Sequence, residues 1–194
     1  MPQYAVFLDR DGTINEDPGY LGDPEKVKLF PGTGKALFSI KSKLKFKLIV
    51  ISNQSGIARG LISGEDVDAV NTRINEILKT DNVSIDAFYY CPHHPEFSSR
   101  EETECRKPSP EMVLQAAREL NLELNGSYFI GDTFSDIQCG INAGLKTVLV
   151  KTGYGLESIS ILQKQNIFPS FVAENILEAC KFILEDFTGE IIDK

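Results

Sequence analysis

The sequence predicts an α/β fold with a doubly wound, mostly parallel sheet. Short apolar runs rich in β-branched and aromatic residues alternate with segments of helical spacing, which is typical of parallel strands covered on both faces. Polar residues follow several of these runs, as expected where ligands bind beyond the carboxyl ends of the strands. No repeat, low-complexity tract or linker divides the chain, so we expect a single domain over residues 1–194.

The strands are predicted from the apolar runs themselves, at residues 4–8, 46–51, 87–90, 128–130 and 147–150. Helix starts have local signals between these runs. The segment "SGED" from Ser63 fits a capping box, and "SPEM" places a proline in the first helical turn behind Ser109. A final helix is predicted at residues 174–187, where apolar residues recur every three or four positions.

Composition and charge limit the classes of function. The chain has 194 residues and a formal net charge of −8, which argues against a general binder of nucleic acid or of anionic membranes. No apolar stretch approaches the roughly 20 residues of a membrane-spanning helix, and the first residues lack the basic start of a signal peptide. We therefore expect a cytoplasmic protein without a membrane or nucleic-acid partner. Its four cysteines are expected to be free thiols or metal ligands rather than disulfides.

Polar and charged residues lie at the ends of three predicted strands and in one loop. Asp9 and Asp11 follow the first strand, Ser52 the second and Asp132 the fourth, while Lys107 lies in a loop before a helix. Carboxylates at close range repel one another unless a cation neutralises them, and Mg²⁺ suits a site of carboxylates and a substrate phosphate. With Lys107 to bind phosphate oxygens, this set is typical of phosphoryl transfer. In such a site Asp9 is suited to attack phosphorus, and Asp11 to act as acid and then as base.

Other phosphate-binding and hydrolytic motifs fail on inspection. The segment "PGTGKA" resembles a phosphate-binding loop, but Leu29 occupies the position of its first glycine and Ala36 that of its metal-binding hydroxyl. The sequence has no G-x-S-x-G elbow, and its only histidines are the adjacent His93 and His94. A serine–histidine triad therefore has little support.

Four motifs in order point to a family. The segments "DRDGT", "SNQSG", "RKP" and "GDTFSD" resemble, in order and spacing, the four motifs of the haloacid dehalogenase superfamily of aspartyl-phosphate phosphatases. More narrowly, "NQSGIARG", "YYCPHHPE" and "CRKP" are similar to the D-glycero-D-manno-heptose 1,7-bisphosphate 7-phosphatase family. This resemblance covers roughly residues 4–151. The histidinol-phosphate phosphatases share the first motif, a "CPH" loop and "CRKP", and form the neighbouring branch.

The resemblance implies a phosphoric monoester hydrolase. Its reaction would be removal of the 7-phosphate of the heptose bisphosphate through an aspartyl-phosphate intermediate, a step towards ADP-heptose for lipopolysaccharide. A cap domain is not expected, because one helix and one strand use up the chain between the first two motifs. There are three alternatives. The chain could hydrolyse histidinol phosphate, it could hydrolyse a different small sugar phosphate, or it could bind a sugar phosphate without catalysis. We expect a small-molecule substrate as partner and a monomeric protein.

The resemblance also implies roles for individual residues. Asp9 would be the nucleophile and Asp11 the acid and base. Mg²⁺ would be held by the Asp9 side chain, the Asp11 backbone carbonyl and Asp132. Ser52 and Lys107 would complete the catalytic set by stabilising the transferring phosphoryl group. The residues expected to bind substrate are Arg10, Asp17, Pro18, Gly19, Tyr20, Asn53, Gln54, Ser55 and Arg106.

One loop departs from the family pattern. Relatives carry a four-ligand structural zinc site just before "RKP", and here Cys91, His93 and Cys105 match three ligands while Thr103 occupies the fourth position. Threonine is a poor zinc ligand. Either a neighbouring side chain completes the zinc site, or the loop has lost the metal.

The motif "GDTFSD" bears on both metal and substrate. Asp136 would hold Lys107 or a magnesium-bound water. Thr133 stands where these phosphatases commonly have lysine, which removes one positive contact to the substrate without affecting the chemistry.

Overall fold

The structure is a computed structural model that describes residues 2–189. Its strands are β1 (Ala5–Leu8), β2 (Lys47–Asn53), β3 (Ala87–Cys91), β4 (Tyr128–Gly131), β5 (Lys146–Val150) and β6 (Phe171–Ala173). They form one parallel sheet in the order β3-β2-β1-β4-β5-β6. The order reverses direction between β1 and β4. Such a switch point opens a crevice for ligands beyond the carboxyl ends of the two strands.

Helices connect the strands and cover both faces of the sheet. They are α1 (Thr33–Leu44), α2 (Gly64–Leu78), α3 (Glu111–Leu120), α4 (Phe134–Asn142), α5 (Gly155–Lys164) and α6 (Ile176–Thr188). The predicted capping box of Ser63 is present at the start of α2, and Thr133 forms a second one at the start of α4. The predicted serine cap of α3 is present, because the hydroxyl of Ser109 accepts a hydrogen bond from the backbone N–H of Glu111 at 3.4 Å with Pro110 between them.

The central strand shows why two helical layers form. All four residues of β1 are buried. Val6 and Leu8 belong to the apolar cluster under α1, α2 and α6, whereas Ala5 and Phe7 belong to the cluster under α3 and α4. Successive side chains of a strand point to opposite faces, so a strand apolar at every position requires cover on both sides.

The predicted doubly wound parallel sheet is confirmed, with all five predicted strands present. The sequence interpretation missed β6, a three-residue edge strand. Between β1 and β2 the structure holds only α1 and a short 3₁₀ turn at Pro24–Lys26, which confirms the expected lack of a cap domain there. Within residues 2–189, no helix has both the length and the hydropathy needed to cross a bilayer.

Candidate active site

The turn after β1 packs tightly against the segment after β4. Gly12 has φ +86°, a conformation that residues with a side chain rarely adopt. A Cβ atom placed on Gly12 would lie 2.4 Å from Oδ2 of Asp132. The hydroxyl of Thr13 donates to the other oxygen of Asp132 at 3.0 Å. The first and fourth sequence motifs are therefore in direct contact at the switch point.

Lys107 is the centre of the charge arrangement. Its side chain is 2% exposed, and its ammonium group lies 2.7 Å from Oδ1 of Asp9 and 2.6 Å from Oδ1 of Asp136. It also donates to the backbone carbonyl of Ile51 at 2.8 Å. Burial alone would lower the pKa of Lys107, but the carboxylates of Asp136 and Asp9 raise it above its usual value. This ammonium group therefore keeps its charge at physiological pH.

Three buried carboxylates surround this ammonium group. Ligand atoms of Asp9, Asp132 and Asp136 lie within 4.8 Å of one another. Burial, followed by the charge of Asp136, raises the pKa of Asp9 well above its usual value. The same two causes raise the pKa of Asp132 to about 7. One lysine cannot neutralise three carboxylates, so the donor set fits a hard divalent cation such as Mg²⁺.

Asp11 lies beside this cluster, and its carboxylate has different partners. Arg10 donates from Nε to both oxygens of Asp11 at 3.2 Å and from Nη2 to Oδ2 at 2.8 Å. Asn15 donates to Oδ1 at 2.8 Å, and Gln54 donates to Oδ2 at 3.1 Å. The predicted contact of Arg10 with substrate is wrong for this structure, because the side chain is 0% exposed and its remaining hydrogen bond goes to Asn71.

The end of β2 fixes the loop that carries Lys107. Asn53 accepts a hydrogen bond from the backbone N–H of Lys107 at 3.1 Å and donates to its carbonyl at 3.3 Å. Ser52 is buried, and its hydroxyl accepts a hydrogen bond from Gln54 at 2.7 Å. Because the same Gln54 amide also donates to Asp11, one side chain links the second motif to the first.

These groups border a cavity of about 450 Å³. Its walls are Asp9, Asp11, Asp17, Gly19, Tyr20, Leu21, Ser52, Asn53, Gln54, Ser55, Arg106, Lys107, Thr133, Ser135, Asp136 and Tyr154. The structure thus brings together the predicted catalytic side chains and most of the predicted substrate-binding ones. Arg10 and Pro18 are the exceptions, since neither lines the cavity.

The segment after β5 is a part of the site that sequence reasoning missed. The backbone N–H of Tyr154 donates to Oδ2 of Asp132 at 2.8 Å, and the hydroxyl of Thr152 donates to the carbonyl of Gly12 at 2.7 Å. The side chain of Tyr154 is exposed at the cavity wall. The available sequence signal was that Thr152 and Tyr154 follow a predicted strand. The carboxyl ends of parallel strands share one edge of the sheet, so residues that follow them lie near one another.

Arg106 supplies positive charge at the cavity wall. Burial, followed by the nearby charge of Arg59, lowers the pKa of Arg106 from its usual value. Its Nη1 donates to the carbonyl of His93 at 3.2 Å. Arg59 has a different environment, because it pairs with Glu96 at 3.2 Å and lies over the ring of Phe97. Arg59 is therefore engaged by the loop after β3, whereas Arg106 lines the cavity.

The predicted zinc ligands require correction. The structure joins Cys91 and Cys105 in a disulfide, with Cα atoms 5.5 Å apart. The hydroxyl of Thr103 donates to a carbonyl of its own turn, and Nδ1 of His93 lies 3.1 Å from the Ser98 hydroxyl. The aspartate cluster is the only group of three or more candidate metal ligands in residues 2–189. The residues present therefore do not fit a four-ligand zinc site. A threonine cannot supply the missing thiolate, and the two sulfurs are bonded to each other.

Two cysteines agree with the expectation of free thiols. Cys139 and Cys180 are buried and unpaired in the part of the chain that the structure describes. Burial raises the pKa of each thiol to about 12. Both are therefore inert apolar residues rather than reactive groups.

Comparison with known proteins agrees with the geometry. The family model described as HAD-hydrolase-like matches residues 104–179. A Chlorobaculum tepidum protein named D-glycero-D-manno-heptose-1,7-bisphosphate 7-phosphatase is 42% identical over 184 residues, which cover 90% of this chain and 91% of that protein. A Pasteurella multocida protein named D-glycero-beta-D-manno-heptose-1,7-bisphosphate 7-phosphatase is 40% identical over 175 residues, 82% of this chain and 95% of its own length.

A solved structure shows the same similarity in three dimensions. The D,D-heptose 1,7-bisphosphate phosphatase from B. bronchiseptica, complexed with magnesium and phosphate, has a TM-score of 0.83 and 28% identity. The match covers 95% of this chain and 99% of that one. Sequence and structural similarity thus extend over most of the chain.

Proposed function

The chain belongs to the D-glycero-D-manno-heptose-1,7-bisphosphate 7-phosphatase family of haloacid-dehalogenase-like hydrolases, and from this membership we propose how its site performs the reaction. The substrate is D-glycero-D-manno-heptose 1,7-bisphosphate, and its 7-phosphate is removed through an aspartyl-phosphate intermediate. The observation that carries the proposal is the buried cluster of Asp9, Lys107, Asp132 and Asp136 at the β1/β4 switch point.

Asp9 is the nucleophile. Its carboxylate lines the cavity and is held by the ammonium group of Lys107, which fixes its direction. Attack by a carboxylate oxygen on phosphorus breaks the bond to the C7 oxygen of the heptose and leaves an acyl phosphate on Asp9. Covalent catalysis of this kind divides one difficult hydrolysis into two easier displacements.

Asp11 transfers the protons. It lies two residues from the nucleophile and also lines the cavity. In the first displacement it donates a proton to the C7 oxygen as the bond to phosphorus breaks. In the second it accepts a proton from the water that attacks the acyl phosphate, which regenerates both carboxyl groups.

Lys107 and Ser52 stabilise the charge on the transferring group. Lys107 keeps its charge because two carboxylates raise its pKa, and Ser52 contributes a hydroxyl from the end of β2. Asp9, Asp132 and the Asp11 carbonyl would hold Mg²⁺, which neutralises the phosphoryl oxygens when bound. Asp136 orients Lys107 through a second contact to its ammonium group.

The remaining walls of the cavity select the substrate. Arg106 is placed to bind the phosphate at C1, because its guanidinium group has a carbonyl as its side-chain hydrogen-bond partner and pairs with no carboxylate within residues 2–189. Asp17, Tyr20 and Asn53 provide polar groups and an aromatic surface for the sugar. A cavity of about 450 Å³ without a cap domain suits a sugar bisphosphate of modest size.

The wider setting follows from the same proposal. We propose a single domain over residues 1–194, acting as a cytoplasmic monomer on a small sugar phosphate. The named relatives point to the heptose bisphosphate and give no support to histidinol phosphate. A non-catalytic binding role is disfavoured as well, because a binding protein does not need a nucleophile and a proton donor two residues apart.

The test is the release of phosphate from both anomers of heptose 1,7-bisphosphate and from histidinol phosphate, each with Mg²⁺ and with a chelator. We expect Mg²⁺-dependent release from at least one heptose anomer, with the phosphate at C1 retained in the ³¹P NMR spectrum of the product. Loss of the C1 phosphate, or a preference for histidinol phosphate, would contradict the proposal.

A further inference from the structure

Arg10 has the environment of a functional side chain, although it cannot touch the substrate. It is among the largest side chains with essentially no exposed surface, in a turn that otherwise carries the nucleophile and the proton donor. An arginine is costly to bury unless its charge and its donors are matched. The matching group here is the carboxylate of Asp11, whose side chain is 19% exposed.

The contact between the two side chains constrains orientation as well as charge. Nε and Nη2 of Arg10 approach the two oxygens of Asp11 from one side at 2.8–3.2 Å. A planar guanidinium group with two donors fixes the plane of a carboxylate, which a single ammonium group does not do. Asn15 and Gln54 approach the oxygens of Asp11 as well, one at each oxygen.

The guanidinium group of Arg10 also has a partner on the side away from Asp11. Its Nη1 donates to the side-chain carbonyl of Asn71 at 3.2 Å, and Asn71 is a buried residue of α2. The bond from α2 and the bonds to Asp11 use opposite parts of the same rigid group. Helix α2 therefore supplies a partner for the Nη1 group of Arg10, which does not contact Asp11.

We propose that Arg10 is the positioning residue for Asp11, holding its carboxylate at the cavity wall so that it can exchange a proton with the leaving oxygen and with water. This inference rests on the proposed function, in which Asp11 transfers both protons. In the first displacement the proton moves from Asp11 to the C7 oxygen while the phosphorus–oxygen bond breaks. In the second, a proton of water moves to Asp11 while the bond between phosphorus and Asp9 breaks. Arg10 gives up no proton in either step.

The test uses two substrates that differ in their need for an acid. A sugar phosphate has a poor alkoxide leaving group, whereas p-nitrophenyl phosphate has a good one, and kcat/KM reports the steps up to its departure. In Arg10→Lys the charge remains and the planar fork is lost. We expect kcat/KM for the sugar phosphate to fall about 100-fold, because general acid catalysis is worth about that much, and kcat/KM for p-nitrophenyl phosphate to fall less than about 10-fold.

Asn71→Leu is the matched control. It removes the other partner of the Arg10 guanidinium and leaves the contacts of Asp11 in place, so it measures the structural contribution of the buried arginine. We expect both substrates to be affected equally in this variant. Equal losses on both substrates in Arg10→Lys, or no loss on either, would overturn the inference.

A crystal structure of Arg10→Lys tests the inference without turnover. We expect the Asp11 carboxylate to leave its observed position in that variant and to keep it in Asn71→Leu. An unmoved Asp11 in Arg10→Lys would overturn the positioning role even if the wild-type substrate proved to be another phosphate ester. A different result would show that the proposed function is wrong, namely that the wild-type protein releases no phosphate from either heptose anomer.

Discussion

The ammonium group of Lys107 lies 2.7 Å from a carboxylate oxygen of Asp9, across 98 residues of sequence. The contact joins the proposed nucleophile to its electrostatic partner before any substrate is bound. When Asp9 becomes phosphorylated, its oxygen is engaged with phosphorus and the phosphoryl oxygens take over the charge. Lys107 can then stabilise the transferred group without moving far, which is the preorganisation that electrostatic catalysis requires.

Asp9→Asn should abolish turnover, because an amide cannot form the acyl phosphate. We expect phosphate release to fall by at least about a thousandfold and beryllofluoride, a mimic of the phosphoryl group, to lose its binding in ¹⁹F NMR. Asp23→Asn is the control, since Asp23 caps a short 3₁₀ turn and does not line the cavity. Near-normal activity of Asp9→Asn would remove the covalent mechanism.

Lys107→Met should cost both activity and stability. The variant leaves Asp9 and Asp136 buried without their shared counter-charge, and breaking a buried pair in this way costs about 3 kcal/mol in the free energy of unfolding. In the double variant with Asp136→Leu we expect much of the stability to return while activity stays lost. Thermal unfolding and phosphate release measure the two effects. Recovery of activity in the double variant would contradict the role given to Lys107.

Stability and Mg²⁺ binding should be linked through Asp132. Its folded-state pKa is raised from 3.8 to about 7, so the stabilising contribution of its protonated form is present below pH about 4 and is lost as the pH rises through about 7. Mg²⁺ needs the ionised carboxylate. We therefore expect the increase in Tm on adding Mg²⁺ to be larger at pH 8 than at pH 6. Asp132→Asn should flatten this dependence, and an equal increase at both pH values in the wild type would speak against it.

The pair Cys91–Cys105 should be detectable by counting thiols. Protein denatured without reductant should react at two of its four cysteines, and should contain less than about a tenth of an equivalent of zinc when prepared without a histidine tag. Reduction opens a loop closed across 14 residues, which should lower the free energy of unfolding by about 3 kcal/mol. Four reactive thiols together with one equivalent of zinc would instead support a metal site with an additional ligand.

Gly12→Ala should disrupt the proposed metal site, although it adds only one methyl group. The added methyl group would meet Asp132 at 2.4 Å, on a residue with φ +86°. Gly19→Ala is a matched control, because Gly19 has φ +87° but has no atom within 4 Å of the added Cβ. Both variants carry the backbone cost of about 1 kcal/mol. Only Gly12→Ala should also weaken Mg²⁺ binding, as measured by titration calorimetry; equal affinities in the two variants would contradict the close packing at Asp132.

The sequence indicated the fold and the reacting groups because both depend on local patterns. Apolar runs ending in polar residues predicted the strands, and Asp9, Lys107 and Asp132 follow from motifs a few residues long. Side-chain direction was not predictable in the same way. Arg10 stands between two aspartates that line the cavity, and nothing in the motif "DRDGT" shows that the intervening side chain turns inward to meet α2.

Contacts between distant segments account for the other omissions. Tyr154 enters the site because its backbone N–H meets Asp132, a relationship set by the sheet order rather than by residue type. The pairing of Cys91 with Cys105 depends on how the loop after β3 folds back, which spacing alone does not determine. The edge strand β6 was missed because three residues are too few for a periodic signal.

The strand order has a consequence for protein synthesis. β1 is made before the other strands that the structure describes, yet it occupies an interior position whose neighbour β4 is made more than a hundred residues later. The last contact to Asp132 comes from Tyr154, which follows β5. A nascent chain therefore carries Asp9 long before Asp132 and Tyr154 can complete the site around it. Incomplete chains should be inert as phosphatases, so interrupted translation would release no uncontrolled phosphate-cleaving fragments.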